Sequence, residues 1–504
     1  MDELTAWKNA AREHRGITMA LAEFVAGLRP EAIPEHTQQI VKQAFVDSIG
    51  CGLHGLTTPW GRIVTEFAAE LGGRPEAALW GAHTKVAAAN AVLAAGNAIH
   101  GFDFDDHSRA KIHPGAVVVP VALALAEREQ VSGDMLLTAL AAGYETMNRV
   151  SLACNPARAR MRGWHLTGTT GTFGAAAAAS VILGFDAALT ASAFGLAGTQ
   201  SAGVWAFTAD AAMSKRLHPG RAAQSGVIAA LLAQRGFAGP RYILEAEDGG
   251  FLFTMSGESR PGEITRGLGD EWRTDGVCFK PHACCGSNHA CVDAALTLLA
   301  EYRVSAADVE RVIAGVPAVV QTQTGFEYRA DSVLNAQMSL RYNLAVAMLD
   351  SEALLEQFTP ARIGEKQVFD LAQRVEIEVD PELDAAYPEI YGGRVSLVMR
   401  DGRRLTRRVD YSMGMPENPM SHDHIERKFL SLAGHAVGDA QANVLLPATL
   451  EIFAQHSVTS LTTLLREVDI LDTHDETGNT ERPATTAPET RQPAGETLEN
   501  RRAG

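Results

Sequence analysis

The chain has 504 residues, 46% of them hydrophobic, a length that allows two or three packed cores. Aromatic residues make up only 6% and the formal net charge is -16, which argues against a β-sandwich and against nucleic acid or an anionic membrane as partner. No charge-free apolar run reaches the roughly twenty residues of a membrane span, and the acidic start Met1-Asp2-Glu3-Leu4 lacks a signal-peptide core, so a cytoplasmic protein is expected.

Helical spacing covers 17–29 and 36–55, interrupted by Pro30 and Pro34, and continues over 62–72 and 85–99. Residues 100–115, HGFDFDDHSRAKIHPG, then set three aspartates, three histidines, an arginine and a lysine between apolar helices. Ionisable groups at that density in an apolar setting need partners or a chemical task. Pro114 suits a first helical position, which puts His113 at the positive end of a helix over 115–130 and favours its neutral, base-competent ring. Helices follow over 133–151, 186–204 and 219–236. Between them 168–180, GTTGTFGAAAAAS, is a helix of small residues that only closely approaching neighbours can cover.

Beyond Gly276 the period changes to two. Residues 310–316, 374–380, 394–400 and 403–411 read as strands, the last two joined by a hairpin turn at Asp401-Gly402. Helices are expected at 288–302 and 338–350, and again over 418–468, where the chain returns to the first helical body. The fold expected is mainly α. Helical parts at 1–275 and 411–470 flank an α+β domain at 276–410, and 471–504, with almost nothing to bury, reads as a disordered tail.

Four polar stretches lead into small-residue helices. One ends at His113, a second holds Arg162 and His165, a third Lys215 and His218, and a fourth Lys280 and Cys285. Helix starts carry unpaired amide donors and partial positive charge. If the four converge, they form a cradle for carboxylates, with Lys215, Lys280 and Arg162 as full charges and histidines to move protons. Asp103, Asp105 and Asp106 beside histidines are also metal-ligand types, but no H-x-x-x-H or EF-hand spacing accompanies them, and no metal is expected. The six cysteines lack zinc spacing, and Cys284 and Cys285 read as buried thiols in a reducing compartment. Gly168, Gly171 and Gly174 follow no strand and there is no P-loop, so no nucleotide cofactor is expected.

Motifs in a fixed order carry a resemblance: HGFDFDD (100–106) with HPGA (113–116), GYE (143–145), GWHLTGT (163–169), KRLHPGRAA (215–223), KPHACC (280–285), AQMSLRY (336–342) and NPMS (418–421). Together they resemble the MmgE/PrpD family, which contains 2-methylcitrate dehydratase, cis-aconitate decarboxylase and iminodisuccinate epimerase. The resemblance runs from about 17 to about 467. It implies that the α+β domain is a smaller lid inserted into a large all-helical domain, with a site in the cleft between them. It also implies a homodimer, and chemistry that needs neither cofactor nor metal. Carried over by position, Asp103, His113, His165 and Tyr342 fall on catalytic positions, and Lys215 and Lys280 on substrate-binding ones. His107, Arg162 and Cys285 join the substrate-binding set. Two departures stand among these: His107 where relatives often have threonine, and Cys285 where some decarboxylases carry histidine.

The implied chemistry is proton transfer beside a carboxylate of a small di- or tricarboxylate. The lysines would hold carboxylates, the histidines would move the proton, Asp103 would orient an imidazole, and Tyr342 would serve as an acid. A 2-methylcitrate dehydratase-like lyase is the leading expectation. Decarboxylation of cis-aconitate or an iminodisuccinate-type epimerisation would use the same groups. A carboxylate-binding protein without turnover is the non-enzymatic alternative.

Overall fold

The small-residue stretch forms the helix Leu166–Ile182, in which every residue but Val181 is buried. Missing side chains let its neighbours close in. A Cβ at Gly174 would lie 2.8 Å from Met147 Cβ in the helix Gly133–Ala153. A Cβ at Gly226, in the helix Ser214–Gln234, would lie 2.3 Å from Ala175 Cβ. An added methyl at either crossing overpacks the core at a cost of about 1–3 kcal/mol. The computed structural model describes residues 3–209, 212–387 and 389–471, and twenty-two α-helices lie among them, so the fold is mainly α. The expected tail lies outside the described residues from Asp472 onward. No helix of the described residues is long and apolar enough to cross a membrane.

Most helices fall where their spacing places them: Ile17–Gly27, Glu35–Leu56, Ala88–Ile99, Gly115–Glu129 and Gly133–Ala153. One begins early. Ser214–Gln234 starts a turn before Pro219, which therefore sits inside the helix and leaves the Lys215 carbonyl without its i+4 donor. The early start puts Lys215 and His218 three residues apart on one helical face. The short hairpin Ala77–Leu79 with Thr84–Val86 was not expected; three-residue strands are too short for a period to show.

The alternating stretches form one four-stranded sheet in the order Val375–Val379, Val309–Val316, Gly393–Met399, Arg404–Val409. The first pair is parallel and the others antiparallel, with Leu397 opposite Leu405 across the hairpin. Gly402 turns it with φ 87°, in the left-handed region that glycine enters freely. The helix His289–Tyr302 packs against the hairpin strands.

Two long-range ties fix the 100–114 loop. His107 and Ser108 pair with Cys278 and Val277 as two short antiparallel strands, which carries the chain on toward Lys280. From the other end, the helix His422–Val437 packs on Glu35–Leu56 and sends Lys428 inward. Its Nζ lies 2.6 Å from Asp47 Oδ1 and donates to the Phe104 carbonyl at 2.6 Å. Removing one member of such a buried pair costs about 3–5 kcal/mol, because the other charge stays behind uncompensated.

Candidate active site

The loop between Ala88–Ile99 and Gly115–Glu129 gathers the ionisable groups. Asp103 takes φ 56°, a left-handed conformation that aspartate tolerates better than most residues. Its Oδ1 lies 2.9 Å from Lys215 Nζ and 2.9 Å from Lys280 Nζ. Lys280 also donates to the Asp103 carbonyl oxygen at 2.6 Å. Burial alone would raise the Asp103 pKa, but the two ammonium groups hold it well below the usual carboxylate range. Asp103 in turn keeps the buried Lys280 raised, against the lowering effect of its burial.

Asp105 is the second carboxylate of the cluster. His100 Nδ1 lies 2.9 Å from its Oδ2 and His113 Nδ1 3.3 Å from the same oxygen. Burial opposes its charge, yet His100 and then His113 hold it well below the usual range. His113 Nε2 is 3.9 Å from Asp103 Oδ1, so this ring bridges the two acids. Its backbone N–H donates to Thr167 Oγ1 at 3.1 Å, which fixes it to the small-residue helix. Asp106 behaves differently. Burial, then Asp105 and Asp47, push it well above the usual range, and it receives Tyr144 O–H and Gly115 N–H at 2.9 Å each.

His165 occupies the N-cap of Leu166–Ile182 and is 3% exposed. Its Nδ1 is 2.9 Å from His218 Nδ1, so one ring donates where the other accepts and their tautomers are tied. The His113 and His165 rings lie 4.5 and 6.0 Å from the His100 ring. Burial, with His100 and His218 adding to it, pushes His165 well below its ordinary value and leaves a neutral imidazole. Burial likewise takes His100 and His218 down to about 4. The result is one carboxylate clasped by two lysines and faced by uncharged rings, a setting able to hold an anion and pass a proton.

Two family models match this chain. The model of the MmgE/PrpD N-terminal domain matches residues 19–263 and that of the MmgE/PrpD C-terminal domain matches residues 282–452. The chain belongs to the MmgE/PrpD family. Similar proteins of the family include a cis-aconitate decarboxylase-like protein (oryM) of Aspergillus oryzae, 29% identical over 89% of this chain and 97% of the relative. The cis-aconitate decarboxylase of Aspergillus terreus is 28% identical over 89% of this chain and 96% of its own length. That of Homo sapiens is 28% identical over 90% and 95%.

Of the residues that the MmgE/PrpD motifs single out, Asp103, His113, His165, Lys215 and Lys280 come together here. Three helix starts meet at them, while Lys280 arrives from a loop well before its helix. His107 stands next in line, its ring 6.3 Å from that of His113. Cys285 is buried close by: a Cβ at the adjoining Gly286 would lie 3.3 Å from His107 Nε2, and Cys285 Sγ is 3.5 Å from Ser287 Oγ. Two expected residues are not brought in. Arg162 is exposed at the end of the short helix Pro156–Met161, because the turn there points away; Arg160 instead stacks 3.8 Å over Trp205, whose ring neighbours His165. Tyr342 is fully buried against Tyr328 and donates its hydroxyl to the Gln357 carbonyl, so its proton is already committed to core packing. The same motif reaches the loop through Gln337, which donates to the Phe102 and Ala283 carbonyls at 2.6 and 3.1 Å. His100 and Asp105 join the cluster without a role assigned to them from the motifs, and His218, expected among the proton-moving histidines, pairs with His165. A histidine five residues before an aspartate in one polar stretch was the available signal for the first pair.

His100, Asp103, Asp105 and His113 also offer ligand atoms within 4.8 Å of one another, as a metal site would. Asp103 Oδ1, however, already sits 2.9 Å from two ammonium groups, whose charge opposes a divalent ion there. The buried rings set a pH limit on the fold. His54 and His100 are pushed down by burial to about 3 and about 4, so between those values and 6.5 the unfolded chain binds protons that the folded one refuses. Stability therefore falls as pH drops from about 6.5 toward 4, by up to about 1.4 kcal/mol per pH unit for each ring. Asp103 and Asp105 add to the loss only below about 4, where the unfolded carboxylates protonate first. Urea midpoints at pH 7, 6 and 5 test this; a midpoint flat over that window would mean that the rings protonate within the fold.

Proposed function

We propose that this chain is a lyase acting on a small tricarboxylate or dicarboxylate by acid–base chemistry. The observation that carries the reading is the buried pair of ammonium groups on Asp103, faced by neutral imidazoles. Lys280 spends two of its three N–H donors on Asp103, so each lysine keeps donor capacity for a substrate carboxylate. An incoming carboxylate held there places its neighbouring carbon near His113 and His165. One neutral ring takes or returns the proton, and the lysines stabilise the negative charge that builds on the carbon and its carboxylate. Asp105 orients His113, and His218 fixes the tautomer of His165.

The motifs alone put dehydration of 2-methylcitrate first. The cis-aconitate decarboxylases among the relatives support decarboxylation of an unsaturated tricarboxylate instead. In that reaction the bond from carbon to one carboxylate breaks, CO2 leaves, and the electron pair moves into the adjacent conjugated system. The proton that completes the product comes from solvent and is relayed to the carbon by His113 or His165. Dehydration is the second reading, favoured by Cys285, a thiol in place of the histidine that some decarboxylases carry. A homodimer belongs to the same proposal and is checked by light scattering.

The test is NMR in D2O with cis-aconitate, 2-methylcitrate, citrate and iminodisuccinate, each with and without EDTA. Loss of CO2 from cis-aconitate with one deuteron gained, unaffected by EDTA, is the expected result. Water loss from 2-methylcitrate would assign the second reading. Inertness toward all four acids would leave a binding protein, and activity lost to EDTA and restored by a divalent ion would turn His100, Asp103, Asp105 and His113 into metal ligands.

A further inference from the structure

Lys215 and Lys280 do not by themselves bring surplus positive charge. They face Asp103 and Asp105, and Arg216, a third buried cation beside Asp103, is occupied by the Gly101 carbonyl and the Trp60 ring. The far carboxylate of a longer substrate gains from a cation open to it, in a chain whose net charge is -16. Lys111 is placed to supply it. No carboxylate lies within ion-pair distance of Lys111 among the described residues. Its Nζ lies instead 5.2 Å from the Tyr387 ring and 5.2 Å from the Tyr391 ring.

The backbone presents this lysine deliberately. Lys111 takes φ 58°, a strained choice for a residue with a long side chain. The turn that imposes it is tightly bonded: Lys111 N–H to the Ser108 carbonyl at 2.9 Å, Ala110 N–H to Ser108 Oγ at 3.2 Å, and Ser108 N–H to the Ile112 carbonyl at 3.0 Å. Contacts then run from Lys111 back to the cluster. Tyr391 shares a hydrogen bond with Ser287, whose Oγ is 3.5 Å from Cys285 Sγ, and a Cβ at the adjoining Gly286 would lie 3.3 Å from His107, whose ring neighbours that of His113. Asp103, Lys215 and Lys280 are buried, whereas His107, Lys111 and His113 are partly exposed. Lys111 thus stands on the open side of the site, where the far end of a bound molecule comes to rest.

We propose that Lys111, with Tyr391 and Ser287, forms a second anion subsite that takes the carboxylate farthest from the reacting carbon and so selects tricarboxylates over dicarboxylates. This rests on the polycarboxylate reading above and adds to it a determinant of substrate length and charge. Tyr387 and Tyr391 hold the ammonium by its attraction to their ring faces, and the hydroxyl proton left over from the Tyr391–Ser287 hydrogen bond supplies a neutral donor to the same carboxylate.

Calorimetric titration with two unreactive acids, tricarballylate and glutarate, separates the possibilities. Wild type, Lys111→Met, Lys111→Arg and the exposed control Lys366→Met are compared at one ionic strength, with folding checked by circular dichroism. Lys111→Met is expected to weaken tricarballylate at least about tenfold, the effect of losing one charge-assisted hydrogen bond. Glutarate should change less than about twofold, and Lys111→Arg should keep most of the tricarballylate affinity. If both acids weaken equally, or tricarballylate binds Lys111→Met as it binds wild type, the subsite is wrong while the polycarboxylate reading stands. If neither acid binds wild type, that reading falls and the subsite falls with it.

Discussion

Replacing His165 with alanine is expected to lower turnover at least about a hundredfold, the lower end of what a positioned acid or base contributes. The ring is buried, neutral and tied through Nδ1 to His218, so Nε2 is the nitrogen left for proton transfer. The competing explanation is structural, since His165 is the N-cap residue of Leu166–Ile182. That helix start receives no hydrogen bond from the His165 side chain, so no cap is lost with the ring. The substitution leaves a cavity and an unpaired His218, a cost of about 2–4 kcal/mol at most. The prediction therefore splits: urea unfolding still shows a cooperative transition, while initial rates on the acid identified by NMR collapse. Added imidazole should restore part of the rate by filling the vacated space. A purified His165→Ala protein that turns over at near the wild-type rate removes this residue from the mechanism.

Asp103 is expected to matter twice over. Asp103→Ala leaves two buried ammonium groups without their shared counter-charge and should cost about 3–5 kcal/mol of stability. It should also abolish measurable turnover, because the lysines no longer have a fixed point to hold them. Asp103→Asn keeps the side chain that tolerates φ 56° and removes only the charge, so it should lie between the two in stability and remain inactive. Asp103→Asn combined with Lys280→Met removes the charge imbalance. The pair should regain most of the lost stability and none of the activity. Recovery of both together would reduce the carboxylate to a structural role, and recovery of neither would mean that the ammonium groups were never strained by its loss.

Much of this architecture could be read from spacing alone. The hairpin at Asp401-Gly402, the small-residue helix and the site loop were all legible because each imposes a strong local pattern. What was not legible depends on direction. Arg162 and His165 are three residues apart, yet a turn separates an exposed side chain from a buried one. Tyr342 and Gln337 share a motif, and nothing in the string says which faces the loop. The proline rule misjudged the start of Ser214–Gln234 by a turn, because tertiary packing outweighed one missing hydrogen bond. The two-residue pairing of His107–Ser108 with Val277–Cys278 has no periodicity at all, although it brings Lys280 to Asp103.

The inward reach of Lys428 has a consequence for biosynthesis. During translation Asp47 and Asp103 emerge long before the distant ammonium groups that pair with them, at 428 and 280. A nascent chain halted short of residue 428 has nothing to neutralise Asp47 or to hold the Phe104 carbonyl. The ribosome must deliver nearly the whole polypeptide before this loop can set, so fragments released early by stalling or by proteolytic clipping carry the acids without the chemistry.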